Sequence, residues 1–399
     1  MLPRQKILVV GLELYWPGVA RLPRALQDAG FEVGVACRDN AFLAHTGFRD
    51  RFFPLPKKNR GKEILACLEA IVREWSPDLL LPTDDRTVFF LARVHELVVS
   101  SGNSSGLADL LKCSLGNPAA IREAASKRLT MEIGRELGIR VPASQVVRSK
   151  DEAWAFGRKH GFPVVLKRSF DSGGNGVFIC QNETEVASAF KFLHRDETLQ
   201  GRLQVWRERI RGRKMEFHWL PVDPSITVSR FLVGERAMSL MAVFEGRMLA
   251  ALPAVMEQSY LDTKGPGSVV RFVRHEEMRR ASEVLLKHWK LTGLIGFDFM
   301  IDAQGHAWLI ECNPRPTPIA HLGARAGEDL CLALHRRLIS EPMPRTGAPV
   351  ELVVAHFPQE SWRDPNSPYL TSAFHDVPWD DPQLLDYFKQ SRAPKRQDQ

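Results

Sequence analysis

Two neighbouring segments near residue 300 bring together side chains that could ligate a metal ion. Period-2 alternation places Glu311 and Asn313 on one face of a predicted β-strand. The turn of residues 302–305 joins it to a preceding strand, which predicts a hairpin. If the turn closes at its first and last residues, Asp298 opposes Leu309 and has Glu311 as its diagonal neighbour. Two carboxylates and an amide oxygen on one face suit Mg²⁺, and the alternative is a polar face exposed to solvent.

A second group of residues could bind phosphate. Lys167 ends a β-type run and is followed by the glycine-rich segment Ser172-Gly-Gly-Asn-Gly176. Glycines let backbone N–H groups approach an anion, and a lysine adds a point charge. The segment is not a Walker A loop, and an ordinary glycine hairpin is the alternative. Lys127, beside Ser126 on a predicted helix, either meets a phosphate or faces the solvent.

The first hundred residues alternate between strand and helix patterns. Apolar runs at 6–11, 31–36 and 78–81 predict strands, while 19–29 and 62–75 follow helical periodicity. This alternation predicts a small doubly wound α/β domain with a parallel sheet. No G-x-G-x-x-G follows the first strand, which argues against a dinucleotide-binding fingerprint.

After the polar stretch 100–105 the predicted secondary structure changes from alternating strands and helices to mainly strands. A helix is expected over 118–137 and another over 276–290, and the segments between them are β-rich, as in an α+β fold. Before the hairpin, strands are predicted at residues 163–168, 177–180, 226–233, 237–244 and 248–252.

Composition excludes several classes of protein. In 399 residues, 44% are hydrophobic and 25% charged, which excludes collagen-like, low-complexity and wholly disordered chains. No apolar run approaches the roughly 18 residues of a bilayer span, so neither a membrane segment nor a secretory signal is predicted. The six cysteines form no C-x-x-C pair, which favours a reduced compartment, the cytoplasm.

The net charge allows anionic partners. Lys and Arg exceed Asp and Glu by 54 − 47 = +7, and basic residues cluster at 202–214 and 392–399. We interpret these clusters as solvated faces, so small anions are allowed as partners and nucleic acid is not expected to be one.

Taken together, these segments resemble the ATP-grasp superfamily over about residues 1–335. The most specific motif is Glu311-Cys-Asn-Pro-Arg315, with Asp298 thirteen residues before Glu311, an interval similar to that in D-alanine:D-alanine ligase. The other matching motifs, in family order, are Ser126-Lys127 followed by Gly-Ile-x-Val-Pro, Pro163-Val-Val-Leu-Lys167, Ser172-Gly-Gly-Asn-Gly176 and Phe231-Leu-Val-Gly-Glu235.

The resemblance implies a domain organisation. An N-terminal doubly wound pre-ATP-grasp domain over residues 1–112 would precede a two-subdomain ATP-grasp fold. The small lid subdomain would span 113–225, with a basic insertion at about 200–221. The large subdomain with the metal site would span 226–340, and 341–399 would be a C-terminal extension that covers the site or forms a dimer contact.

The resemblance also implies roles for individual residues. Lys127 and Lys167 would contact the ATP phosphates, and Arg315 would join Lys167 as a catalytic residue that stabilises the transferring phosphoryl group. The lid residues would be Ser172, Gly173, Gly174 and Gly176. The remaining nucleotide contacts would come from Phe231, Val233 and Glu235, with Glu235 at the ribose. Two Mg²⁺ ions, replaceable by Mn²⁺, would be bound by Asp298, Glu311 and Asn313.

Two positions depart from the family pattern. The hinge before Phe231 reads Ser229-Arg230 where an acidic residue is common, and Gly296 stands where some amino-acid ligases have an arginine.

The implied activity is a ligase reaction. ATP would phosphorylate a substrate carboxylate, and a second substrate, an amine such as an amino acid, would attack the acyl phosphate. The alternatives are a bicarbonate-activating carboxylase or carbamoyl-phosphate-type enzyme, and a nucleotide-binding regulatory protein without turnover.

Other segments could serve such a reaction. Segment 257–268 is expected to shield the site. Asp84 and Arg86 would either hold a substrate or belong to a helix cap. A homodimer is allowed.

Overall fold

The computed structural model describes residues 4–14, 17–57, 61–100, 106–170, 176–198, 223, 225–260, 265–342 and 351–391 of the chain. Ser172, Gly173, Gly174, the predicted insertion at 200–221 and the basic tail at 392–399 lie outside the described residues.

The N-terminal part is built on a parallel sheet between helices. Leu8 and Val10 of this sheet pack against the second and third helices, while Ile7 and Val9 face the first. The strand order is β3-β2-β1-β4, and all three pairings are parallel, as the alternating pattern predicts. The elements are β1 (Lys6–Val10), α1 (Leu22–Asp28), β2 (Glu32–Cys37), β3 (Arg51–Pro54), α2 (Gly61–Trp75), β4 (Leu79–Pro82), α3 (Asp85–Ser100) and α4 (Gly106–Leu115).

The second part contains an antiparallel sheet with the order β5-β8-β6-β7. Two helices cover one face through Phe156, Val186 and Leu193, which pack against Val164 and Leu166. The elements are α5 (Ile121–Ala124), α6 (Lys127–Glu136), β5 (Ser144–Val147), α7 (Lys150–His160), β6 (Val164–Arg168), β7 (Val177–Cys180), α8 (Glu183–Thr198) and β8 (Ile226–Arg230).

The third part is a seven-stranded sheet with the order β13-β12-β9-β10-β11-β14-β15. It is antiparallel except for the pair formed by its last two strands. The strands are β9 (Glu235–Phe244), β10 (Arg247–Ser259), β11 (Gly267–Phe272), β12 (Gly293–Ile301), β13 (Ala307–Asn313), β14 (Val353–His356) and β15 (Phe374–Asp376). The helices are α9 (Glu276–Trp289), α10 (Gly323–Ala326), α11 (Leu330–Leu338), α12 (Gln359–Arg363), α13 (Tyr369–Ser372) and α14 (Pro382–Gln390).

Apolar burial joins the first and third parts. Val9 of β1 belongs to the same buried cluster as Leu240 and Leu252 of the large sheet and Leu330 of α11. On the other face of the large sheet, Trp289 of α9 stacks on Phe297 with ring centroids 6.5 Å apart. This packing holds the β12–β13 hairpin against rigid elements on both faces.

The helix expected over 118–137 is interrupted. A short 3₁₀ turn leads into α5, and a new helix, α6, begins at Lys127. Ser126 has extended backbone angles, so it ends the first segment, and its side chain accepts a hydrogen bond from the backbone N–H of Leu129. The interruption is a helix cap that turns the N-terminus of α6, and Lys127 with it, toward the end of β6.

The described residues of segment 257–268, which are 257–260 and 265–268, lie at the facing ends of two paired strands. Glu257 lies in β10 and Ser268 in β11, and the Tyr260 N–H donates to the carbonyl of Pro266 at 2.8 Å. The described residues of this segment extend two paired strands rather than forming a separate covering loop.

The C-terminal extension packs on the N-terminal part. Leu384 and Phe388 of α14 bury against Phe42. The Asp381 carboxylate caps α14 and also accepts a hydrogen bond from the Thr46 hydroxyl at 2.8 Å. Among the described residues, no helix is both long and apolar enough to span a bilayer.

Candidate functional site

The β12–β13 hairpin forms as the alternating pattern predicts, but its register differs from the predicted one by one residue next to the turn and by two residues at Asp298. Asp298 lies directly opposite Glu311, and the next pair is Phe299 with Leu309. The extra residue on β13 is Ile310, a β-bulge. The predicted diagonal arrangement was therefore wrong for two reasons. The turn closes one residue later than predicted, with Ile301 opposite Ala307, and the bulge adds a second residue, so the two carboxyl groups lie face to face.

The amide side chain of the motif completes this group. Asn313 pairs with Gly296 across the hairpin, and its amide N–H donates to Asp298 Oδ2 at 3.3 Å. A Cβ atom on Gly296 would lie 2.7 Å from Thr317 Cγ2, so the chain following β13 fills the space where a side chain would stand. The arginine present at this position in some amino-acid ligases could not fit here.

Two lysines from the second part face the carboxyl pair. Lys127, the first residue of α6, lies with Nζ 3.3 Å from Glu311 Oε2. Lys167 of β6 is 5% exposed, and its ammonium contacts the sulfur of Met131 at 3.6 Å. Burial lowers the pKa of Lys167 to about 8. The positive charge of Lys127 lowers this pKa further, and the negative charge of Glu311 raises it.

The two carboxyl groups share one proton. Burial raises the pKa of Asp298 to about 8, and the charge of Glu311 adds to this shift. Burial opposes ionisation of Glu311 as well, but Lys127 and the hydrogen bond from Asp298 outweigh it and lower the pKa of Glu311 to about 2. At neutral pH Asp298 therefore donates a hydrogen bond to ionised Glu311.

Arg315 emerges just after β13 and meets the N-terminal part. Its guanidinium forms a two-pronged ion pair with Asp85, the first residue of α3, through Nε at 2.7 Å and Nη2 at 3.1 Å. Nη2 also donates to Asn313 Oδ1 at 3.3 Å. No sequence signal indicated the Asp85 contact, since the two residues are 230 positions apart.

Asp84 caps a helix rather than lining the site. Its Oδ1 accepts from the Thr87 N–H at 2.8 Å, and its Oδ2 accepts from the Leu12 N–H at 2.9 Å. Arg86 pairs with Glu13 at 2.5 Å on a partly exposed surface. Of the two alternatives for Asp84, the helix cap is the one observed.

The hinge residues lie on the connection between the second and third sheets. Phe231 and Val233 follow β8, and Val233 is 82% exposed. Glu235 is the first residue of β9. The hydrogen bond that Arg271 donates to Glu257 raises the pKa of Arg271, and the negative charge of Glu235 raises it further. Gly234 approaches Ile301 so closely that a Cβ would lie 2.1 Å from that carbonyl oxygen. The structure thus brings Glu235 toward Arg271, and the hinge residues' nucleotide contacts stay predictions.

Gly176 precedes β7, and its carbonyl accepts a hydrogen bond from the Arg168 N–H at 3.4 Å. The end of the glycine-rich segment therefore lies beside the end of β6, close in sequence to Lys167.

The donor set fits a divalent cation such as Mg²⁺. Asp298 and Glu311 supply hard oxygen ligands, and a cation between them would replace the proton they share. Among the described residues, no three His, Cys, Asp or Glu side chains cluster as ligands, so a third protein ligand would be the Asn313 amide. Its oxygen faces Arg315, and a rotation of the carboxamide would turn it to the cation.

The sequence of this chain is similar to one family of ATP-binding enzymes. Residues 126–216 match the family model described as the carbamoyl-phosphate synthase L chain, ATP-binding domain. Over 339 residues the chain is 28% identical to a carbamoyl phosphate synthase large chain of Thermus thermophilus. The chain is therefore similar to proteins of the ATP-grasp superfamily. The alignment includes 81% of this chain and 30% of that relative, so this chain spans about a third of the relative's length.

Solved ATP-grasp structures share the fold. The biotin carboxylase domain of Hydrogenobacter thermophilus 2-oxoglutarate carboxylase, solved with MgADP, ADP and bicarbonate, superposes with a TM-score of 0.59 and 14% identity. The match covers 88% of this chain and 74% of that one. The L-amino acid ligase of Bacillus licheniformis superposes with a TM-score of 0.54 and 14% identity, with coverages of 88% and 76%. At these identities the superpositions establish the fold of this chain and nothing finer.

Proposed function

We propose that this protein is an ATP-dependent ligase that activates a carboxylate. In the first step a carboxylate oxygen attacks the γ-phosphorus of ATP, giving an acyl phosphate and ADP. In the second step an amine, for example that of an amino acid, attacks the acyl carbon and releases inorganic phosphate and an amide. The activation is required because a carboxylate has no leaving group that an amine can displace in water.

The convergence of two lysines on the Asp298–Glu311 pair supports this proposal most strongly. Three elements far apart in sequence, α6, β6 and the hairpin, supply these four side chains. A pair of buried carboxyl groups is costly without a cation, and two buried ammonium groups are costly without an anion. A magnesium–phosphate group would satisfy both sets of charges at once.

Each residue then has a role in phosphoryl transfer. When bound, Mg²⁺ would neutralise charge on the phosphate oxygens. Asp298, Glu311 and Asn313 would hold it, as one or two ions, and Mn²⁺ would be accepted by the same oxygens. Lys127 and Lys167 would bind the phosphates, while Arg315 would stabilise the transferring group.

The nucleotide would be held by both sheets. Ser172, Gly173, Gly174 and Gly176 would cover the phosphates. Phe231 and Val233 would contact the base, and Glu235 would bind the ribose after moving from Arg271.

We also propose the domain assignment that the family resemblance implies. Residues 1–112 would form a pre-ATP-grasp domain, 113–225 the lid subdomain, 226–340 the metal-binding subdomain and 341–399 an extension. The partners would be small carboxylates and amines. A homodimer is compatible with the dimeric biotin carboxylase domain that shares the fold. All six cysteines are free thiols, and we place the protein in the cytoplasm on that basis.

Product analysis tests the ligase proposal. Purified protein is incubated with Mg-ATP, pooled amino acids and small carboxylates, with hydroxylamine as a trap for the acyl phosphate. We expect ADP, phosphate and a hydroxamate that all depend on the carboxylate. Formation of AMP and pyrophosphate, or ADP formation that no carboxylate stimulates, would overturn the proposal.

Paired variants show whether the activity belongs to this site. Glu311→Ala removes a proposed metal ligand and should abolish the products. Glu69→Ala removes an exposed carboxylate on α2 and should leave them unchanged.

A bicarbonate-activating enzyme is a second candidate. The match to the carbamoyl-phosphate synthase family model and the shared fold of a biotin carboxylase domain solved with bicarbonate favour it. ATP turnover in buffer free of CO₂ separates the two candidates. Turnover restored by bicarbonate alone, with no organic carboxylate, would establish this alternative.

A further inference from the structure

Arg315 is held by a carboxylate from a distant part of the chain. The Asp85 carboxylate accepts hydrogen bonds from both Nε and Nη2, which fixes the plane of the guanidinium. The Arg315 side chain is 11% exposed and the Asp85 side chain 31%. In such a partly buried place a two-pronged pair fixes the arginine more firmly than an exposed ion pair would.

Asp85 is not needed to cap the helix that it begins. The preceding residue, Asp84, already accepts the Thr87 N–H at the N-terminus of α3 and is 4% exposed. Its second oxygen binds the Leu12 N–H and so ties α3 to the end of β1. The capping role is therefore occupied, and the carboxylate of Asp85 is directed at Arg315.

The position of Arg315 matters because other oxygens compete for it. Nη2 lies 3.3 Å from Asn313 Oδ1, and the amide N–H of the same Asn313 donates to Asp298 Oδ2 at 3.3 Å. A buried guanidinium that lost Asp85 would be drawn toward the Asp298–Glu311 pair, because charges attract strongly where water is excluded. There it would occupy the place proposed for the cation.

We propose that Asp85 is a positioning residue for Arg315. It holds the guanidinium beside the metal site, aimed at the phosphoryl group, and keeps it away from the metal-binding carboxyl groups. This proposal rests on the proposed ligase function. It also means that the N-terminal part, besides any substrate contacts, completes the active site of the ATP-grasp fold.

Steady-state kinetics of a double-mutant cycle test the proposal. In Asp85→Asn we expect kcat for carboxylate-dependent ADP formation to fall about tenfold to a hundredfold, with KM for Mg-ATP within about twofold. Asp85→Glu should restore part of kcat. The double variant Asp85→Asn/Arg315→Ala should be no slower than Arg315→Ala, because Asp85 acts only through Arg315.

A control variant makes the same Asp→Asn change in an exposed ion pair elsewhere. Asp380 joins the C-terminal extension to Arg24 of α1 at 2.6 Å. Asp380→Asn should leave kcat and KM unchanged. Independent, multiplicative losses in the Asp85–Arg315 cycle, or equal losses in the two Asp→Asn variants, would overturn the positioning role.

A binding experiment gives a result that does not depend on turnover. Inorganic phosphate is titrated calorimetrically into the complex of the protein with Mg-ADP. Asp85→Asn and Arg315→Ala should weaken phosphate binding by the same factor, and the double variant no further, while Mg-ADP affinity stays constant. Absence of phosphate binding to the wild-type complex, or unchanged binding in Asp85→Asn, would overturn this inference. Failure of wild-type turnover with every carboxylate would overturn only the proposed function.

Discussion

Two clusters of buried charge in this protein differ in how their charges are balanced. The first, which we propose to be catalytic and call the catalytic cluster, contains Lys127, Lys167, Asp298 and Glu311. The extension cluster contains Arg21 of the N-terminal part, His321 after β13, and His356 and Asp376 of the C-terminal extension. Both join segments that are distant in sequence, and both lie mostly out of contact with water.

The extension cluster satisfies its charges internally. Asp376 accepts a hydrogen bond from Arg21 Nη1 at 2.8 Å and pairs with His321 Nε2 at 2.7 Å. Although burial favours the neutral acid, His321, Arg21 and His356 outweigh it and lower the pKa of Asp376 to about 2. This carboxylate thus binds Arg21 and His321 and fastens β15 to the N-terminal part.

The catalytic cluster shifts the pKa values of one acid and one base in opposite directions, each toward its neutral form. One of its two carboxyl groups keeps a proton with a pKa of about 8, and the pKa of one of its two lysines is held near the same value. Such shifts are expected where a ligand supplies the missing charges. The comparison indicates that burial and ion pairing by themselves do not mark a site. A buried acid with a raised pKa beside a buried lysine with a lowered pKa does.

The largest expected effect is on turnover in the catalytic cluster. Glu311→Gln removes the carboxylate that faces Lys127 and should lower carboxylate-dependent ATP turnover by about 10² to 10³. The melting temperature should change little, because the variant also removes a costly pair of buried carboxyl groups. Turnover and thermal unfolding measured together check this. If the variant loses turnover only because it unfolds, Glu311 has a structural role, like that of Asp376.

The next effect is on stability in the extension cluster. Asp376→Ala leaves the guanidinium of Arg21 buried without its partner and should reduce the free energy of unfolding by about 3 kcal/mol. Urea denaturation monitored by circular dichroism measures the change. Since Asp376 is not one of the residues proposed to bind ATP or the metal, kcat at a temperature where the variant is folded should stay within about twofold of wild type. A large kcat defect in the folded variant contradicts the comparison.

The pH dependence of stability separates the clusters further. Burial lowers the pKa of His356 to about 4, against the positive effect of Asp376. Below pH 6.5 the unfolded chain therefore binds a proton that the folded protein does not, and stability falls as the pH falls. The expected loss is about 2.5 kcal/mol between about pH 7 and about pH 4.5.

His356→Gln tests the origin of this loss. Urea titrations of wild type and variant at several pH values should show a shallower decline in the variant. If the free energy of unfolding declines equally with falling pH in wild type and variant, the loss of stability does not come from His356.

The smallest effect is expected from an exposed ion pair. Arg24 and Asp380 are 37% and 48% exposed, so solvent screens their attraction. Asp380→Asn should change the free energy of unfolding by less than about 1 kcal/mol, measured by the same urea denaturation. A change as large as that of Asp376→Ala would show that joining distant segments, and not burial, sets the strength of these pairs.

Local patterns in the sequence predicted most elements of the fold. The parallel strands β1, β2 and β4, the helix α9 and the hairpin of β12 and β13 lie within a few residues of their predicted positions. The strands β3, β5, β11 and β15 and the helices α4, α7, α8 and α10 to α14 were not predicted. For β5, α7 and α8, packing into one shared apolar cluster contributes the stability that local periodicity does not indicate.

The sequence by itself determined which residues share a strand face and where chemistry is expected. Alternation placed Glu311 and Asn313 together, and motif order identified both lysines, because these signals depend on residues adjacent along one chain segment. Tertiary structure alone decided the bulge at Ile310, the approach of Lys127 to Glu311 and the pairing of Asp85 with Arg315. Each of these depends on how separate elements pack, and no local periodicity encodes the distance between residues that far apart in the chain.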